Sequence, residues 1–86
     1  MQKFKVGDTV RFTDDENRIS MYSYLCGYNH PLKDKVGLVY RYFAHDNDRL
    51  YVFFPELPGQ GIRQEWQEPM IELCYDLYEE DLKLEP

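Results

Sequence analysis

Cys26, His30, His45 and Cys74 are the residues best equipped for chemistry in this 86-residue chain. Cys26 and His30 stand at Cys-x3-His spacing, which suits two ligands of a tetrahedral zinc. Nothing in the spacing carries His45 and Cys74 to the same place, so buried thiols and surface imidazoles explain these residues and no metal is expected. A Cys-His nucleophile would draw on the same side chains. It would also need an orienting third group, oxyanion donors and a pocket, which a domain this small seldom encloses. The expectation is a non-enzymatic protein with no cofactor. Gly59-Gln60-Gly61 lacks the following helix and lysine of a phosphate cradle and reads as a hairpin tip. Pro55-Glu56-Leu57-Pro58 has PxxP spacing, but it lies between strand signals, where a turn is the ordinary use.

Binding chemistry is better represented. Five Phe, eight Tyr and one Trp are more rings than one small core absorbs, so some aromatic surface is expected to face water or a partner. Trp66 is flanked by Gln64, Glu65, Gln67 and Glu68, so its ring emerges from a polar segment. It serves either as a binding anchor or as a cap over one end of the fold. The stretch from Met21 to Pro31 places Tyr22, Tyr24 and Tyr28 where a small β-protein usually has a polar connection. Tyr22, Tyr24, Tyr28 and Trp66 are therefore the candidate contacts with a protein partner.

Charge bears on the alternative. Ten basic and sixteen acidic residues leave a net charge of −6, which opposes a sequence-independent grip on nucleic acid. Arg11, Arg18, Arg41, Arg49 and Arg63 are dispersed, and a fold that gathered some of them would permit direct RNA or DNA contact through Arg41, Arg49 and Tyr51. The acids Glu72, Asp76, Glu79, Glu80, Asp81 and Glu85, set against Lys83, suit a solvated outer face. They also suit mimicry of a nucleic-acid backbone that blocks a nucleic-acid-binding protein. No apolar run is long enough to cross a bilayer, and the start MQKFKVGDTV lacks the apolar centre of a secretory signal. A cytoplasmic protein with reduced cysteines and no membrane partner is expected.

The elements that would position these residues are mainly β. Phe4, Val6, Val10 and Phe12 alternate around Gly7-Asp8, predicting a turn or bulge and then a strand that begins after Asp8. KVGLVYRYF (35–43) and RLYVFF (49–54) predict a hairpin with its turn at Asp46-Asn47-Asp48. In the first of these, Val36, Leu38, Tyr40 and Tyr42 alternate with Gly37, Val39, Arg41 and Phe43. In the second, Leu50, Val52 and Phe54 share one face while Tyr51 and Phe53 share the other. Both faces are partly apolar, as in a strongly curved barrel sheet, and alternation alone leaves open which set points inward.

Ile62 to Trp66 suits a short strand, Met70 to Leu77 resumes a β pattern, Tyr78 to Asp81 reads as one helical turn, and Leu82 to Leu84 closes the chain. Between the first two strands, Ile19, Tyr22 and Cys26 recur at helical spacing behind a capping Asp14 or Asp15. That predicts a short helix from about Glu16 to Cys26, with a long hairpin loop as the alternative.

FKVGDTVRF, KVGLVYRYF, RLYVFF and LYEEDLKL, in that order, resemble small bacterial and phage proteins with an SH3-like barrel. The carrying positions are Gly7, Asp8 and Val10; Gly37 and Val39; Val52 and Phe54; and Asp81, Leu82 and Leu84. Residues 13–34 and 55–69 are longer than that pattern requires. The resemblance implies one domain over residues 1–86, a five-stranded SH3-like barrel with a short helix or long loop after the first strand. It also implies a binding module. Gly37 sits in a context like that of KOW domains, some of which contact RNA, and others of this architecture bind proteins.

Overall fold

A computed structural model describes residues 2–22 and 31–85. Gly7, at φ 91°, closes a turn in which the Asp8 N–H donates to the Lys5 carbonyl (3.0 Å) and the Lys5 N–H donates to Asp8 Oδ2 (2.9 Å). Strand β1 (Thr9–Phe12) follows at once, as the sequence led one to expect. The remaining strands are β2 (Val36–Phe43), β3 (Asp46–Phe53), β4 (Cys74–Tyr78) and β5 (Leu82–Leu84). They form one antiparallel sheet in the order β4-β3-β2-β1-β5. The chain leaves β4 through a 3-10 turn at Glu79–Asp81 and returns to pair β5 with β1. Among the described residues no ladder joins β4 to β5, so the architecture is a five-stranded antiparallel sheet with little helix.

Two packing layers enclose the second half of β3. Leu50 and Val52 point into the main core with Phe4, Val10, Phe12, Leu32, Val39, Phe54, Tyr75, Leu77 and Leu82. Tyr51 points the other way, into a smaller cluster with Ile71 and Cys74 that Tyr40, Phe43 and Phe53 border. Ile71 reaches that outer face from a 3-10 turn at Pro69–Leu73. A strand buried on both sides explains why RLYVFF shows apolar residues at every position after the arginine. Each fully buried aliphatic or Phe side chain stabilises the fold by about 1.5–3 kcal/mol relative to its exposed state.

The alternation left open for β2 is resolved by a β-bulge. Val39 pairs with Val52 and Arg41 with Tyr51, so Tyr40 is an extra residue in β2 and the inward phase changes across it. Gly37 and Val39 face the core before the bulge, and Tyr42 faces it afterwards. Gly37 is required by close approach: a Cβ there would lie 2.5 Å from Val52 Cγ1 and 3.0 Å from the Phe54 ring. Phe54 in turn meets Tyr75 edge-on, with ring centroids 5.6 Å apart.

Several local expectations need correction. The hairpin turns at Ala44-His45, and Asp46 to Asp48 belong to β3, where Phe43 pairs with Asp46 but Tyr42 pairs with Leu50. The turn-forming chemistry of that segment is still used, because Asp46 Oδ1 accepts the Asp48 N–H (2.9 Å) inside the irregularity. Ile62 to Trp66 forms no strand, and Pro69 to Leu73 is a 3-10 turn, so the β pattern resumes only at Cys74. Helix α1 spans Glu16–Ile19, shorter than the expected run to Cys26. Asp15 Oδ1 caps it by accepting the Asn17 N–H (3.0 Å), while the Ser20 hydroxyl donates to the Asn17 carbonyl (2.9 Å) at its end. The last part of the expected helix, from Ser23 onward, lies outside the described residues.

Candidate functional site

Of the four candidate aromatic contacts, Tyr22 and Trp66 fall among the described residues. Tyr22 is buried, which corrects its assignment as an exposed contact. Its ring packs edge-on against Phe12 at 5.4 Å. Its hydroxyl donates to Asp81 Oδ2 (2.6 Å), and its oxygen accepts the Tyr78 N–H (2.9 Å). Tyr24 and Tyr28 lie outside the described residues, as do Cys26 and His30. Trp66 is 79% exposed, the most exposed of the large apolar side chains described.

Trp66 stands on a segment that is pinned at several points. The Gln64 N–H donates to Gln67 Oε1 (2.8 Å), and Arg63 Nη1 donates to the Gln67 carbonyl (2.8 Å), closing a turn around Trp66. Gln67 Nε2 then donates to the Tyr51 hydroxyl oxygen (2.9 Å), tying that turn to β3. Arg63 Nε also donates to Glu72 (3.0 Å), while Glu68 accepts the Tyr40 hydroxyl and pairs with Arg41 Nη1 (3.6 Å). The hydrogen bond to Glu68 holds the Tyr40 phenol above its ordinary pKa. Gln64 and Gln67, flanking Trp66 in sequence, therefore hold the turn, and the indole is left facing solvent.

Arg41, Arg49 and Tyr51 do come together, in a stack on the outer face of the hairpin. Arg41 lies over the Tyr51 ring (5.7 Å), Tyr51 stacks on Phe43 (4.3 Å), and Arg49 covers both Phe43 (4.8 Å) and Tyr78 (5.2 Å). These rings and cations are spent on one another. Tyr51 is buried, Arg41 is paired with Glu68, and Arg49 donates through Nε to Asp76 Oδ1 (3.1 Å) and through Nη2 to Asp76 Oδ2. The other arginines are likewise committed, Arg11 to Glu85 (2.8 Å), Arg18 to Glu80 (2.5 Å) and Asp81 (2.7 Å), and Arg63 to Glu72.

Arg18 and Asp81 belong to a buried network that sequence reasoning missed. Asp81 is 2% exposed, and its carboxylate accepts from Arg18 Nε and Nη2 as well as from the Tyr22 hydroxyl. The hydrogen bond to Asp81 raises the pKa of the Arg18 guanidinium. The available signal was the spacing of Arg18 and Tyr22, four apart and so on one helical face, together with an acid immediately before the apolar closing strand. Asp48, Glu79 and Glu80 line a cleft of about 270 Å³ with Tyr78.

Among the described residues no group of three or more His, Cys, Asp or Glu side chains converges as a metal site. Cys74 is buried beneath the outer cluster, and desolvation pushes its thiol up to about 11, so the thiolate a nucleophile or ligand needs is disfavoured. His45 is exposed at the β2–β3 turn. No described helix is long and apolar enough to cross a membrane. Comparison with protein-family models, with curated proteins and with solved structures finds no match for this chain.

Proposed function

We propose that this chain is a cytoplasmic, non-enzymatic module of SH3-like barrel type that binds another protein, with Trp66 as its central anchor. The four-strand meander, the 3-10 turn after β4 and the return of β5 to β1 support the barrel reading. The observation that carries the function is the exposed indole on a pre-organised turn. A large rigid ring releases much water on docking, and a turn already fixed by Gln64, Gln67 and Arg63 loses little further freedom. Folded Trp66→Ala protein, alone and combined with Tyr24→Ala, is expected to lose a partner that wild type retains from cell lysate. Retention equal to wild type by both variants refutes the reading.

A second reading, acidic mimicry that inhibits a nucleic-acid-binding protein, is favoured by the pairing of every arginine with an acid, which leaves the surplus negative charge uncountered by free guanidinium groups. Direct RNA or DNA contact through Arg41, Arg49 and Tyr51 would have to break pairs already made. Titration with RNA and DNA at two salt concentrations separates the two: mimicry gives no binding, and direct contact gives binding that salt weakens.

A further inference from the structure

Four rings of this fold carry one of its own cations. Lys3 lies over Phe4 (5.3 Å), Arg41 over Tyr51 (5.7 Å), and Arg49 over both Phe43 (4.8 Å) and Tyr78 (5.2 Å). Trp66 differs. Among the described residues no Lys or Arg is stacked on it, although its ring is exposed and indole attracts a cation more strongly than the other aromatic side chains.

The acids near Trp66 in sequence divide in the same way. Glu68 is paired with Arg41 and Glu72 with Arg63, whereas Glu65, exposed and immediately before Trp66, meets no cation among the described residues. Arg63 is the one basic residue of positions 61–68, and its guanidinium is turned to Glu72 and to the Gln67 carbonyl (2.8 Å). The turn that hydrogen bonds fix around Trp66 therefore offers an open indole preceded by an uncountered carboxylate.

We infer that Trp66 and Glu65 together receive an arginine side chain from a basic segment of the protein partner. This rests on the docking role of Trp66 proposed above and adds the chemistry of what docks there. A guanidinium suits both groups, because its flat, weakly hydrated face stacks on an indole while its N–H groups donate to a carboxylate. Consecutive Cα atoms are about 3.8 Å apart, so the Glu65 charge acts on a cation at the ring within about one Debye length. The net charge of −6 attracts a basic partner at longer range and repels an acidic one, a second copy of this chain included.

Trp66 is the sole tryptophan, so its fluorescence reports on the site directly. Capped hexa-arginine is expected to change that emission saturably, with an affinity that falls as salt rises, while capped hexa-glutamate and hexa-serine leave it unchanged. Glu65→Gln should weaken hexa-arginine binding about threefold, the worth of one exposed ion pair or cation–π contact. Trp66→Leu, followed through backbone amide shifts, should weaken it by a similar factor. Asp14→Asn removes the same charge from the loop before α1 and should leave the affinity as it is in wild type. Absence of hexa-arginine binding overturns the inference, and so does weakening by Asp14→Asn equal to that by Glu65→Gln, or wild-type affinity in either Glu65→Gln or Trp66→Leu. If any of these occurs while Trp66→Ala still loses the partner from lysate, docking through Trp66 stands and the arginine receptor falls; if Trp66→Ala also retains the partner, both fall.

Discussion

Replacing Asp81 with alanine removes the acceptor at the centre of the network joining α1, β4 and β5. The carboxylate is 1% exposed and takes hydrogen bonds from Arg18 Nε at 2.7 Å, Arg18 Nη2 at 3.2 Å and the Tyr22 hydroxyl at 2.6 Å. A hydrogen bond to a charged group contributes about 1.5–3 kcal/mol, and a buried donor left without its acceptor costs about 1–3 kcal/mol. Arg18 keeps Glu80 and partial access to water, so its loss is softened, whereas the buried Tyr22 hydroxyl loses its carboxylate acceptor. The net destabilisation is about 3 kcal/mol, which for a domain of this size lowers Tm by about 15 °C.

Asp81→Asn keeps the volume and one acceptor oxygen and is expected to cost about half as much. Urea denaturation followed by tryptophan-independent circular dichroism measures both, and an unchanged slope with a lower midpoint identifies a loss of stability. Tyr22→Phe should cost about 1.5 kcal/mol by leaving the Tyr78 N–H unpaired. The double variant with Asp81→Asn should show a coupling energy of about 1 kcal/mol. A cost below about 0.5 kcal/mol for Asp81→Ala, the level of ordinary surface changes, would refute the reasoning. So would strict additivity of the pair.

Gly37→Ala drives a methyl group against Val52 and Phe54 and is expected to cost about 1–3 kcal/mol, read as a lowered denaturation midpoint. Glu85 titrates below its ordinary value because the Arg11 guanidinium hydrogen-bonds its carboxylate, so its stabilisation is present at neutral pH and is lost as pH falls through the depressed folded-state pKa. Carboxyl NMR should locate that titration below 4.5 and show it moving upward in Arg11→Met. Cys74 is expected to resist alkylation at neutral pH in a Cys26→Ser background, with reactivity appearing on unfolding. Its folded-state pKa is raised to about 11, so the associated stability is full below the unfolded value and is lost as pH rises through about 11.

The legible parts of the fold were those written in short-range pattern. β1, the hairpin strands, the turn before β5 and β5 itself were readable because alternation, turn residues and β-branched side chains act within a few positions. The inward face of β2 was not, because the bulge at Tyr40 inserts one residue and exchanges the two faces partway along. Ile62 to Trp66 has a strand-compatible composition but no ladder to join, since the neighbouring edge of β4 is taken up by Gln60 and Tyr22. The 3-10 turn at Pro69–Leu73 looked like strand because Met70, Ile71 and Leu73 are apolar, yet of these Ile71 is the one that covers β3.

Among the candidate contacts, the exposure of Trp66 was foreshadowed by its polar neighbours, whereas the burial of Tyr22 depended on Asp81, 59 positions away. The amino-acid sequence by itself determined the mainly β character, the apolar pairing of the hairpin and the excess of acid over base. These follow from side-chain volume, branching and charge, which each residue carries wherever it is placed. Tertiary structure alone decided which acid each arginine met. Arg41, Arg49 and Tyr51 were brought onto one face, as a binding site would need, and were engaged there by Glu68, Asp76 and Gln67 respectively. Such pairing depends on where distant segments meet, and no local pattern encodes it.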